Sequence, residues 1–123
     1  VFMATGYGLI GLVLVAGDGS VSPGIHLLTA GALGLAVYTV ICIAGYTHSG
    51  LEKNGRPWVV VGACLLGASA VLRALAYWFD PPVLLQLAGL AWCAAFVLQG
   101  WQMLPVFLRP RQDGLWGCQG VQE

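Results

Sequence analysis

Residues 26–48 read HLLTAGALGLAVYTVICIAGYTH, a run in which two histidines bracket twenty-one residues, Leu27 to Thr47, without one charged side chain. At about 1.5 Å of helical rise per residue the bracketed run measures roughly 31 Å, close to the ~30 Å hydrocarbon core of a bilayer. It reads as a membrane span with an imidazole at each mouth, His26 on one face and His48 on the other. Metal–nitrogen bonds are only about 2 Å long, so one ion cannot bind both rings of a straight helix. Metal or haem chemistry here requires two sites, or ligands from elsewhere.

Composition points the same way. Hydrophobic residues make up 59% of the 123 and charged residues 8%, against about 25% charged in a soluble domain. A water-soluble fold is excluded on that ground. Formal net charge is zero and the five basic residues are scattered, so no electrostatic footprint for nucleic acid exists. The chain is apolar almost from Val1, with no basic n-region or small-residue cleavage pattern; this argues against a signal peptide and predicts a fragment or processed chain.

Three further apolar segments flank the first, giving predicted spans at Phe2 to Ala16, Leu27 to Thr47, Trp58 to Phe79 and Val83 to Phe107. The first is short for a span of about 20 residues. Residues Gly17 to Gly24 carry turn chemistry throughout. Asp80-Pro81-Pro82 forces a tight break, because proline lacks the amide hydrogen a helix needs. Ser49 to Pro57 forms a polar hairpin with Glu52, Lys53 and Arg56. The predicted fold is therefore all-α, a polytopic transmembrane four-helix bundle over residues 1–108 with a cytoplasmic tail over 109–123.

Orientation follows from Lys and Arg, which favour the cytoplasmic side in short loops. Lys53 and Arg56 precede the third span, Arg109 and Arg111 follow the fourth, and the opposite loops hold Asp18 and Asp80 with no Lys or Arg. His48 is thereby placed at the cytoplasmic face and His26 at the outer one. Small residues four apart, Ala30 with Gly34, Ala63 with Gly67 and Ala91 with Ala95, predict close helix crossings. Trp58, Trp78, Trp101, Tyr46 and Tyr77 lie toward span ends and read as interfacial anchors. Cys42, Cys64 and Cys93 fall inside spans as small hydrophobes, and no CxxC spacing suggests zinc.

The residues able to carry chemistry are few. Arg73 is embedded in the third span, at a cost between roughly 2.5 and 17 kcal/mol unless relieved. One reading has it snorkel to the headgroups or pair with Asp80, two turns on. The other has its planar guanidinium clamp an anion near the outer face, a haem propionate being suitable. His26, with Thr29 able to share its face, and His48, at a helix end where a cation complements the dipole, read either as interfacial groups or as metal or haem ligands. Gln86, Gln99 and Gln102 read as interhelical hydrogen-bonding groups. No nucleophile–base pair, HExxH or phosphate loop is present, so no catalytic activity is assigned.

Four motifs in order, His26-Leu27-Leu28-Thr29-Ala30-Gly31-Ala32-Leu33-Gly34, Gly45-Tyr46-Thr47-His48-Ser49-Gly50 with Gly55-Arg56-Pro57, Val71-Leu72-Arg73-Ala74-Leu75, and Leu108-Arg109-Pro110-Arg111-Gln112-Asp113-Gly114, resemble the carboxy-terminal part of the NnrS family. The resemblance covers nearly the whole chain. It implies a bacterial inner-membrane protein containing haem b and copper, associated with denitrification and tolerance of nitric oxide. His26, His48 and Arg73 are then the cofactor-binding candidates, the two histidines the metal ligands, and nitric oxide the expected small ligand.

The pattern departs in two places. Leu51 to Asn54 intervene between Gly50 and Gly55, and Ala4 stands where the family has a histidine before Thr5-Gly6-Tyr7. Family members are also considerably longer, which predicts either the last four helices of such a protein or a short relative that rebuilds a bundle by homo-oligomerisation. Two readings from other classes stand beside this one. One is a structural or assembly subunit without cofactor; the other is a helical component of a transporter with Arg73 at an anion site.

Overall fold

The structure, a computed structural model, describes residues 2–17, 21–51, 56–79 and 82–110. These form four helices, numbered here α1 (Phe2–Ala16), α2 (Val21–His48), α3 (Pro57–Phe79) and α4 (Pro82–Leu108), with no strand among the described residues. Helices α2, α3 and α4 are long and apolar enough to cross a membrane, and α1 at 15 residues is shorter. The tail from residue 111 onward lies outside the described residues, as do Asp18, Glu52, Lys53 and Asp80.

The third and fourth helices each begin one residue earlier than predicted, with proline in the first helical position. There the missing amide hydrogen has no intrahelical partner to lose. The second helix departs further. It begins at Val21, six residues before the predicted Leu27, so the stretch from Val21 to Gly24 is helix and not turn. Pro23 sits in the first turn, where proline is tolerated. Gly24 is buried there against α1, and that packing outweighs its turn preference.

Within α2 the segment Leu27–Leu33 is π-helical, and the Gly34 amide donates to the Thr29 carbonyl five residues back. Such i→i+5 turns are wide and recur at functional positions. Across it the buried positions Leu27, Gly31 and Leu35 fall four apart, whereas beyond it Tyr38, Cys42, Gly45 and Tyr46 follow ordinary helical spacing.

Glycines set the closest approaches. A methyl built on Gly11 would stand 2.9 Å from the Gly24 carbonyl oxygen, and one on Gly24 would stand 2.8 Å from the Gly11 carbonyl oxygen. The α1 and α2 backbones therefore cross with no room for side chains. A methyl built on Gly31 would stand 3.1 Å from Tyr7, and one on Gly67 would stand 2.9 Å from the Tyr7 hydroxyl and 3.0 Å from Met3 Cε. Tyr7 and Met3 are how α1 reaches Gly67 of α3. Of the small pairs expected at crossings, Gly67 and Ala95 are buried, but Gly34 meets only its own helix.

The core between α2, α3 and α4 is built on Leu35, Tyr38, Cys42, Leu66 and Ala95, and a second cluster holds Leu27, Ala70 and Ala74. Outside it, large apolar side chains face outward, among them Val97, Trp101 and Leu104 on α4. Water would penalise that surface and hydrocarbon does not.

Two polar side chains tie the helices together. The Ser69 hydroxyl donates to the Ala88 carbonyl at 2.8 Å, and the Gln99 amide donates to the Tyr38 carbonyl at 3.3 Å and to Cys42 Sγ at 3.5 Å. Gln99 thus serves the interhelical role expected of it. Ser69→Ala is expected to lower stability in detergent by about 0.6 kcal/mol, the average for such bonds between membrane helices. Chemical unfolding followed by circular dichroism checks this, and an unchanged midpoint counts against the bond.

Candidate functional site

His26 lies half-buried in α2, five residues after the helix starts, with helical backbone angles φ −65 and ψ −38. It is therefore not at the mouth of the helix but just inside it, directly before the π-helical segment. The Thr29 hydroxyl on the same helix donates to the Ile25 carbonyl at 2.8 Å and is occupied with its own backbone. Leu27, which follows His26 directly, clusters with Ala70 and Ala74 of α3, the residues that bracket Arg73 in sequence. Two of the three candidates singled out from sequence therefore belong to the same α2–α3 crossing, with no bond or shared wall between their side chains among the described residues.

Arg73 itself is half-buried and is the only Lys or Arg within a helix among the described residues. It lines an open groove of about 440 Å³ shared with Ser69 of α3, Ala30 of α2 and the α4 residues Leu85, Ala88, Gly89, Trp92 and Cys93. The pairing considered between Arg73 and Asp80 falls outside the described residues.

His48 is the last residue of α2 and is exposed. The helix closes behind it: Gly50 takes a left-handed φ of 67, its amide donates to the Thr47 carbonyl at 3.3 Å, and the Leu51 amide donates to the Tyr46 carbonyl at 3.0 Å. This is the Schellman arrangement, in which glycine supplies the conformation a side chain resists. Because α2 is continuous between the two histidines, they stand apart by roughly 30 Å of helix. They do not meet.

The end of the bundle near His48 has features that sequence reasoning placed differently. Tyr46 is buried, not interfacial, and the Arg56 guanidinium carbon lies 4.5 Å from its ring centroid. The Tyr46 hydroxyl and the Trp58 indole nitrogen are buried without a hydrogen-bond partner among the described residues. Trp78 and Trp101, by contrast, are exposed near span ends as anchors should be.

As a donor set for cofactors the arrangement is sparse. No group of three or more His, Cys, Asp or Glu side chains gathers among the described residues, and Cys42, Cys64 and Cys93 are free thiols. One imidazole and one guanidinium at the same helix crossing suit a haem, whose iron takes a histidine ligand and which carries anionic propionates. Copper asks for more ligands than His48 alone supplies. The π-helical segment beside His26 is the feature sequence reasoning missed, and Gly31 and Gly34 were its only visible trace.

No curated protein and no solved structure matches the chain. The family model described as NnrS protein matches residues 1–111, nearly the whole of the chain, and this protein belongs to the NnrS family.

Proposed function

We propose that the chain is a haem- and copper-binding module of a bacterial inner-membrane NnrS protein, acting in the response to or tolerance of nitric oxide during denitrification. The observation that carries this reading is that His26, at one end of a lipid-length helix, directly precedes Leu27, which clusters with Ala70 and Ala74 around Arg73 in the α3 sequence, in a chain whose family match is almost complete. His26 is the axial ligand candidate, and Arg73 offers its guanidinium to a propionate. A haem held there would supply reversible binding of a small neutral diatomic, and the apolar surround of the helices would admit that ligand from lipid.

The chain's own part is to hold the ring and exclude water. The α1 crossing at Gly24 fixes the helix turn that carries His26, and the π-helical segment that follows turns the rest of α2 relative to it. His48, on the opposite face, contributes one copper ligand, and the remaining ligands come from other helices or another copy. The reading assigns no turnover.

An absorption spectrum and metal analysis of the purified protein test this. His26→Ala is expected to remove the Soret band, while His48→Ala keeps the Soret band and loses copper. Unchanged cofactor content in both variants, or no Soret band in the unaltered protein, would overturn the reading.

A further inference from the structure

The groove beside Arg73 has more structure than a clamp for a carboxylate requires. Its α4 wall is made by Leu85, Ala88, Gly89, Trp92 and Cys93, spaced three and four residues apart and so stacked along one helix face. The Ser69 hydroxyl is committed to the Ala88 carbonyl, which leaves the Arg73 guanidinium as the only charged group among the described residues that line an otherwise apolar trough. A methyl added to Gly89 would meet nothing within 4 Å, and Leu85 and Trp92 are 44% and 45% exposed. The trough opens sideways, onto the surface that lipid covers.

Arg73 stands six residues before Phe79, the end of α3, or about 9 Å of helix. An arginine stem can cover much of that toward the headgroups. A cation at the head of an apolar trough that opens to hydrocarbon selects an anion bearing an alkyl chain, delivered from the membrane. At about 440 Å³ the trough is within the usual size of a ligand site. We propose that the α3–α4 groove binds an anionic phospholipid, its phosphate on Arg73 and one acyl chain along Leu85, Gly89 and Trp92. His26 is not among the walls of this groove, so the inference shares only Arg73 with the haem reading, the lipid phosphate taking the guanidinium that the haem reading offers to a propionate.

The full chain in lipid nanodiscs tests it. Brominated phosphatidylglycerol should quench Trp92 fluorescence, isolated by difference from Trp92→Phe, with roughly fivefold stronger relative association than brominated phosphatidylcholine. Arg73→Gln should abolish that preference and Arg73→Lys should keep it. Gly89→Leu should lose it while Arg73 stays intact, because the added side chain fills the trough. Asp80→Asn should leave the preference in place.

Equal quenching by the two lipids in the unaltered protein would overturn the proposal. So would a preference that persists in Arg73→Gln, or one that survives Gly89→Leu, which would put the headgroup on Arg73 outside the groove. Helicity by circular dichroism confirms that each variant is folded, and its Soret band is read separately, so failure here and failure of the haem reading are distinguishable.

Discussion

Gly24→Val is expected to detach α1 from the bundle. A methyl at this position would meet the Gly11 carbonyl oxygen at 2.8 Å and Val15 Cγ2 at 2.7 Å. A side chain can turn aside, but a backbone carbonyl held in a helix cannot. Overpacking in a tight core costs about 1–3 kcal/mol, and the two larger atoms of valine at a backbone crossing place this case at the upper end. Gly11→Val meets the same obstacle from the other helix.

Thermal unfolding in detergent, followed by helicity, should show a midpoint lowered well beyond that of Gly100→Ala, where the added methyl meets nothing within 4 Å. Equal midpoints for the two variants would mean that the crossing does not exist. Because α1 helps fix the turn that carries His26, Gly24→Val should also lower haem content without touching a ligand.

Gly62→Ala is expected to be the second large effect. The space that its methyl would need is taken by the Tyr38 hydroxyl, with the ring carbon behind it at 2.7 Å. Tyr38 is fully buried and packed with Leu35, Cys42, Leu66 and Ala95, so its ring has no open space to move into. A loss of about 2 kcal/mol is expected. The double variants carry the argument: Tyr38→Phe removes the hydroxyl and should recover part of the loss, and Tyr38→Leu removes the ring and should recover more. Strictly additive effects in the two cycles would show that the residues do not touch.

What was legible in the sequence was the solvent and the number of helices. Charge was absent over the first, second and fourth predicted spans and limited to Arg73 in the third, and apolar runs of about 20 residues cross a bilayer as helices, which pair their backbone amides within their own segment. The ends were less legible. Pro23 and Gly24 carry turn preference as isolated residues, but their places, in the first turn and against Gly11, decide otherwise. The partner of Gly24 lies in another helix, and spacing within one segment cannot reveal it.

The candidate site divides along the same line. His26, His48 and Arg73 stood out because imidazoles and charges are rare in apolar runs. That His26 and Arg73 fall at one crossing, where Leu27 clusters with Ala70 and Ala74, depends on how α2 and α3 pack, which no periodicity encodes. The burial of Tyr46 was hidden for a related reason: a tyrosine near a span end normally reaches the headgroups, but here Arg56 closes over its ring.

The wide turn at Leu27–Leu33 has a consequence for how this helix can change over time. It puts the two ends of α2 out of phase, so the ring at 26 and the Tyr38–Cys42–Tyr46 face are aimed by different local windings. Evolution can retune one aim without disturbing the other, in the way a vernier slips against a fixed scale.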